Sequence, residues 1–290
     1  MPPTAGPKPT NLTLYSYFRS SSSWRVRICL NLKSIPHKTH AIHLVKGEQV
    51  ADVYKEDVNL MGQVPALEYY WLGEKKVLTQ SLAIIQFLEM AFPSDEDGNS
   101  NPSLLSSDLS ERAWCLSFSE VINSGIQPLQ NLNTCKTITA ESGGALNGRQ
   151  YGKSMMEVGL KSLEGMVLKK WGLKTFAPLT VEPPASLQPA ELYSPQSYHC
   201  LGIGPTQKST IADACLIPQL YNARRFEVDL SPYPCLQAIE KTCLEEEAFL
   251  LSSPDYQEDC DVFPGTVNGG PEKRGGGGKG EEPVPKKSKH

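Results

Sequence analysis

Over the first 92 residues the apolar pattern switches repeatedly between a period of two and a period near 3.6, and this alternation limits the possible folds more than any other feature. Residues 12–18 (LTLYSYF) alternate apolar and polar side chains and predict a strand. Four serines, Ser20 to Ser23, follow, and 24–33 then carries Val26, Cys29, Leu30 and Lys33 at helical spacing. A serine before such a pattern is a good N-cap, because its oxygen accepts a bond from an otherwise unpaired N–H of the first turn. Residues 38–45 predict a second strand, 48–55 a weak helix, and 63–71 a third strand opened by Val64-Pro65. A turn at 72–74 leads to a short strand near Val77, and 81–90 is a strongly apolar helix. The order β-α-β-α-β-β-α in about 80 residues implies a right-handed crossover, a partly parallel sheet and an antiparallel hairpin edge.

That order is the one found in thioredoxin-like domains. Residues 93–102 (PSDEDGNSNP) form a polar linker, and beyond it the periodicity turns helical, at 109–122, 153–171, 209–223 and 241–251. The third of these begins Ser-Thr and has Asp213 near its start, a capping-box pattern that assigns Asp213 a structural role. Residues 137–149 offer few anchors, and 174–196 is a proline- and serine-rich loop. The expected fold is an α/β thioredoxin-like N-terminal domain followed by an all-α C-terminal domain. The expected boundaries are an extension at 1–11, the α/β domain at 12–92, the linker at 93–102, and the helical domain at 103–256 with an irregular insertion near 174–205. A Gly/Pro/Lys-rich disordered tail is expected over 257–290.

A net charge of −4 gives no reason to invoke nucleic acid, and no apolar run approaches the roughly 18 residues needed to span a membrane. The proline-rich start lacks the apolar stretch of a secretory signal. No two of the eight cysteines form a C-x-x-C pair, and several lie inside apolar runs. Neither zinc nor a redox dithiol is indicated, and reduced, buried thiols in the cytoplasm are expected.

The serine run has chemical potential beyond capping. A helix N-terminus presents free N–H groups and a partial positive charge, so a thiol docked there shifts toward thiolate. A hydroxyl that donates to the sulfur adds to the effect. A two-unit fall from the ordinary thiol pKa corresponds to about 2.7 kcal/mol.

Residues 15–28 (YSYFRSSSSWRVRI) resemble the signature of zeta-class glutathione transferases, the maleylacetoacetate isomerases, which reads S-S-C-x-W-R-V-R-I. QVPAL at 63–67, QSLAII at 80–85, GIQPLQNL at 125–132, IADACLIPQ at 211–219, NARRF at 222–226 and VDL at 228–230 are similar to further motifs of that family, in order. The resemblance implies a glutathione transferase architecture with glutathione as cofactor. It makes Ser20 the thiol-activating hydroxyl, with Ser21 and Ser22 beside it as catalytic support and Ser23, Trp24 and Arg25 completing that part of the glutathione site. It implies that Val64 pairs its backbone with the cysteinyl part, across a cis Pro65. Gln80 and Ser81 would hold the γ-glutamyl end and Gln49 the glycyl end. Gln127 and Asn131, four apart and so on one helix face, would lie near glutathione with Leu132 and Asn133, partly across a homodimer interface.

Arg225 is the implied substrate residue, since a guanidinium can grip a carboxylate of a small dicarboxylate in bidentate fashion. Helical neighbours point apart, so only one of Arg224 and Arg225 is expected to face the site. The implied reaction is glutathione-dependent isomerisation of maleylacetoacetate to fumarylacetoacetate in phenylalanine and tyrosine catabolism, with transferase activity on small α-halo acids. A general transferase with weak isomerase activity and an inactive glutathione-binding adaptor are the alternatives. Ser22 departs from the pattern, standing where the family has cysteine, and the 174–205 segment is longer than the family's connection.

Overall fold

A computed structural model describes residues 7–94, 101–175, 198–203 and 208–260. The alternating first third folds as the periodicity predicts. Strand β1 (Thr10–Ser16) leads to helix α1 (Ser21–Leu32), then β2 (Lys38–Ala41), two 3₁₀ turns at Leu44–Lys46 and Glu48–Val50, and α2 (Asp52–Asp57). Strands β3 (Ala66–Trp71) and β4 (Glu74–Thr79) form a hairpin, and α3 (Ser81–Ala91) closes the unit. The sheet order is β2-β1-β3-β4, with β1 parallel to β2 and the other pairs antiparallel. The second strand stops at Ala41 rather than running to 45, because the chain turns into 3₁₀ structure, with His43 accepting from Lys46 N–H.

The helical portion follows. Helix α4 (Leu109–Glu120) widens into a π turn at Val121–Ile126, and α5 (Gln127–Gln130), α6 (Leu132–Glu141) and α7 (Gly148–Lys170) come next. A two-residue hairpin, β5 (Tyr198–His199) with β6 (Gly202–Ile203), precedes α8 (Ile211–Arg225), α9 (Pro234–Glu245) and α10 (Glu247–Ser252). Helix α1 packs against α3, α8 and α10. Leu14, Val26, Ile28, Leu67, Ile84, Phe118, Leu160, Ile217, Leu220 and Phe249 belong to one continuous buried cluster, so sheet and helices share a core.

Three expectations change in the helical portion. The sparse stretch at 137–149 begins with the second half of α6, a helix whose only buried side chain, Cys135, lies before it, so the stretch carries no apolar period to read. Helix α7 starts at Gly148 instead of 153, since Asn147 caps it by accepting from Gln150 N–H at 3.0 Å. Its early glycines are contact residues rather than breakers: a Cβ on Gly148 would lie 1.8 Å from the Cys135 carbonyl oxygen. The expected helix at 241–251 is two helices, because Glu246 between them is extended (φ −82°, ψ 127°).

The capping box at the start of α8 is complete. Asp213 Oδ2 accepts from Thr210 N–H and Oγ1–H at 2.9 and 2.7 Å, and its Oδ1 accepts from Cys200 N–H at 2.8 Å. His199 stands between Asp213 and Glu246, and these groups with Cys243 form a buried polar knot under the β5–β6 hairpin. Burial opposes the His199 imidazolium, but the two flanking carboxylates outweigh it and its pKa is raised.

The tail was expected from 257, yet Gln257 to Cys260 form a turn, and Asp259 Oδ2 accepts from Phe18 N–H at 3.0 Å. The remainder of the expected tail, 261–290, and most of the 174–205 insertion lie outside the described residues. Among the described residues no helix is long and apolar enough to cross a membrane.

Candidate functional site at the end of the sheet

Register brings the motifs together. Tyr15 of β1 pairs with Ala66 of β3, and Ala66 pairs with Thr79 of β4. The exit of β1 into the serine loop, the entry to β3 after Val64-Pro65, and the exit of β4 into Gln80-Ser81 therefore meet at one end of the sheet. The Val64–Pro65 peptide bond is cis.

The serine loop is held from behind by Arg27. This buried guanidinium donates from Nε to Ser252 O at 3.0 Å, from Nη1 to Ser16 Oγ at 3.0 Å and Tyr17 O at 3.4 Å, and from Nη2 to Phe18 O at 3.0 Å. Burial pulls its pKa down to about 9. Ser20 is the N-cap of α1, its Oγ accepting from Ser23 N–H at 3.2 Å. The cap uses an oxygen lone pair, so the hydroxyl proton stays available to a second partner. Ser20 and Ser22 are half-buried, whereas Ser21, Ser23, Trp24 and Arg25 are buried. The hydroxyl of Ser23 has no hydrogen-bond partner among the described residues, and Trp24 turns inward to meet Tyr221 edge-on at 5.3 Å.

Gln49 lies on the second 3₁₀ turn after β2, and its Oε1 is buried without a partner among the described residues. The loop carrying Pro65 packs directly behind: Gly62 has φ +61°, and a Cβ there would lie 2.8 Å from the Gln49 carbonyl oxygen. Tyr54 Oη and Asn59 Nδ2 both donate to Gln63 O at 2.8 Å and fix that loop.

Gln80 has φ 72°, a left-handed backbone that side-chain-bearing residues rarely adopt and that concentrates at functional sites. The kink hands the chain to α3, whose first residue is the buried Ser81. Ser81 Oγ accepts from Arg25 Nη1 at 3.2 Å.

The opposite wall comes from α8. Arg224 forms a bidentate ion pair with Glu240 of α9. Arg225 points the other way, and among the described residues its side chain has only a long 3.5 Å contact with Asn222 Oδ1. Partial burial and the nearby Arg19 and Arg149 cations lower the Arg225 pKa, against opposing contributions from Tyr221 and Tyr17. Arg19 stacks 4.9 Å over Phe18, and Arg149 stacks 4.7 Å over Phe226 and donates to the Arg225 carbonyl. Three cations, Arg19, Arg149 and Arg225, thus lie near one another where the serine loop approaches the end of α8.

Gln127 and Asn131 do not share a continuous helix face. The helix ends at Gln130, and Asn131, extended at ψ 143°, caps α6 by accepting from Asn133 N–H at 2.9 Å. Leu132 and Asn133 are exposed beside it.

Sequence reasoning missed two links. The buried amides of Gln130 and Gln219 pair at 3.0 Å and tie α5 to α8. Arg25 joins Ser81 to Asn123 of the π turn, donating to Asn123 Oδ1 at 2.8 Å. The available signal was a pair of charges, Arg25 and Arg27, interleaved with apolar residues over 24–30, which demand internal partners.

Residues 19–91 match the family model "Glutathione S-transferase, N-terminal domain", which sets the class. The maleylacetoacetate isomerase of Mus musculus is 37% identical over 248 residues, covering 85% of this chain and 94% of the mouse protein. A crystal structure of maleylacetoacetate isomerase from Anaeromyxobacter dehalogenans, with dicarboxyethyl glutathione and citrate in its active site, superimposes with a TM-score of 0.66. That protein is 34% identical, and the match covers 86% of this chain and 94% of that one. A zeta-class bacterial maleylpyruvate isomerase matches with a TM-score of 0.67 and 30% identity, over 85% of this chain and 99% of its own. The chain belongs to the maleylacetoacetate isomerase family, the zeta class of glutathione transferases.

Proposed function

We propose that the protein is a glutathione-dependent cis–trans isomerase that converts maleylacetoacetate to fumarylacetoacetate, a step of phenylalanine and tyrosine breakdown. The observation that carries this reading is the meeting of Ser20, the cis Val64–Pro65 bond and the kinked Gln80–Ser81 turn at one end of the sheet. The site suits a tripeptide thiol. It offers a half-buried hydroxyl at a helix start, a second helix start suited to a carboxylate, and the unpartnered Gln49 Oε1.

When bound, glutathione supplies a thiol that adds reversibly to a conjugated double bond and is not consumed. Ser20 donates its hydroxyl proton to the sulfur and, with the α1 N-terminus, favours the thiolate. Ser21 and Ser22 support it, and Ser23, Trp24 and Arg25 act from beneath because their side chains are buried. Val64 presents backbone to the cysteinyl part, Gln49 meets the glycyl end, and Gln80 with Ser81 meets the γ-glutamyl end. Gln127, Asn131, Leu132 and Asn133 form the far rim, which in a cytoplasmic homodimer lies at the subunit boundary. Residues 12–92 then hold the cofactor, and 103–256 receive the substrate.

The substrate carries two carboxylates, and Arg225 with Arg19 offers two cations to orient it. The same pair suits small α-halo acids. Turnover of maleylacetone with and without glutathione tests the reading. Glutathione-dependent isomerisation is expected, and its absence in a folded, glutathione-binding protein would refute it.

A further inference from the structure

Two arginines enter the core from α1, and only one is fully partnered. Every guanidinium nitrogen of Arg27 donates to an oxygen. Arg25 is 0% exposed, and its Nη1 serves both Ser81 Oγ and Asn123 Oδ1, but among the described residues its Nε and Nη2 have no partner. Among the described residues Arg25 forms no ion pair with a carboxylate. Burial lowers its pKa, with Glu120 opposing at longer range. A buried cation without a counter-charge is costly, and a fold that keeps one has a use for its charge.

The charge faces the start of α3. Ser81 Oγ accepts from Arg25, so the hydroxyl turns its proton elsewhere, and the acceptor it meets within the protein is Asn123 Oδ1 at a long 3.5 Å. An anion at the α3 N-terminus would take that proton, meet the free N–H groups of the first turn, and lie over the guanidinium.

We propose that Arg25 is the buried counter-charge for the α-carboxylate of glutathione's γ-glutamyl group, acting through Ser81 as a positioning residue. The assignment rests on the glutathione reading above and adds the source of the charge that anchors that end. Asn123 completes it by fixing the guanidinium from the helical side without neutralising it, since an amide carries no charge.

The test measures binding of glutathione and of 4-aminobutyryl-cysteinyl-glycine, which differs only in lacking that carboxylate, by calorimetry on the full chain. Arg25→Met should weaken glutathione about tenfold and the analogue far less, and Arg25→Lys should recover part of the loss. In turnover the loss should appear in KM for glutathione more than in kcat. Asn123→Asp guards against a folding defect: it gives Arg25 an internal carboxylate, and should raise Tm while weakening glutathione about tenfold. Equal losses for both ligands in Arg25→Met, or unchanged glutathione affinity in Asn123→Asp, would overturn the assignment alone. A wild-type chain that binds neither ligand would overturn the functional reading with it.

Discussion

Two pairs of neighbouring arginines frame the site, Arg25 and Arg27 at the start of α1 and Arg224 and Arg225 at the end of α8. Each pair divides in the same way. Arg27 is bound to four oxygens and Arg224 to both carboxylate oxygens of Glu240, so both are spent on structure. Among the described residues Arg25 keeps two unpartnered nitrogens and Arg225 only a long contact, which leaves both charges available to a ligand. Residues one or two apart on a helix point in different directions, which lets one short motif fasten the scaffold and serve the site at once. Arginine content alone does not distinguish the two roles; the count of satisfied donors does.

Arg27→Met offers the strongest challenge to this division. It strands Ser252 O, Ser16 Oγ, Tyr17 O and Phe18 O together, and should cost on the order of 3 kcal/mol or more in urea unfolding. Arg25→Met strands fewer acceptors and should cost clearly less; a reversed order would break the comparison.

Ser20→Ala, at the loop that Arg27 holds, should raise the pKa of the bound thiol and cut turnover at least about tenfold, read from a pH–rate profile. An unchanged profile would remove the hydroxyl from its role. Arg225→Ala should raise KM for carboxylate substrates by about five- to tenfold and leave uncharged thiol acceptors nearly unaffected. An equal effect on both would place Arg225 with the structural members.

The smallest effect on the reaction belongs to Arg224→Ala. Its own side chain is 50% exposed but that of Glu240 only 9%, so stranding that carboxylate should cost about 1–3 kcal/mol in urea unfolding and leave KM unmoved. A KM change there would show that both members of that pair reach the substrate.

The α/β third was legible because its strands and helices announce themselves by period, and because turn residues such as those at 72–74 punctuate them. Ser20, Pro65 and Ser81 were legible as motifs. Their convergence was not, since it depends on the Tyr15, Ala66 and Thr79 register. The helical portion was read less well where burial is slight or small residues do the packing, as in α6 and at Gly148. The helix breaks at Asn131 and Glu246 were hidden for a different reason. Each is made by one extended residue with ordinary helical composition on either side. The Arg25 partnership was visible only as a charge out of place, since Ser81 and Asn123 are distant in sequence.

The contact of Asp259 with Phe18 N–H, and of Ser252 O with Arg27, has a consequence for synthesis. Two fastenings of the loop that presents Ser20 come from residues 225 and 241 positions further along the chain than their partners. On the ribosome the sheet can form early, while the nucleophile's cradle stays unfinished until residue 259 has emerged. A serine loop latched by residues made so much later is fully held only after they have emerged.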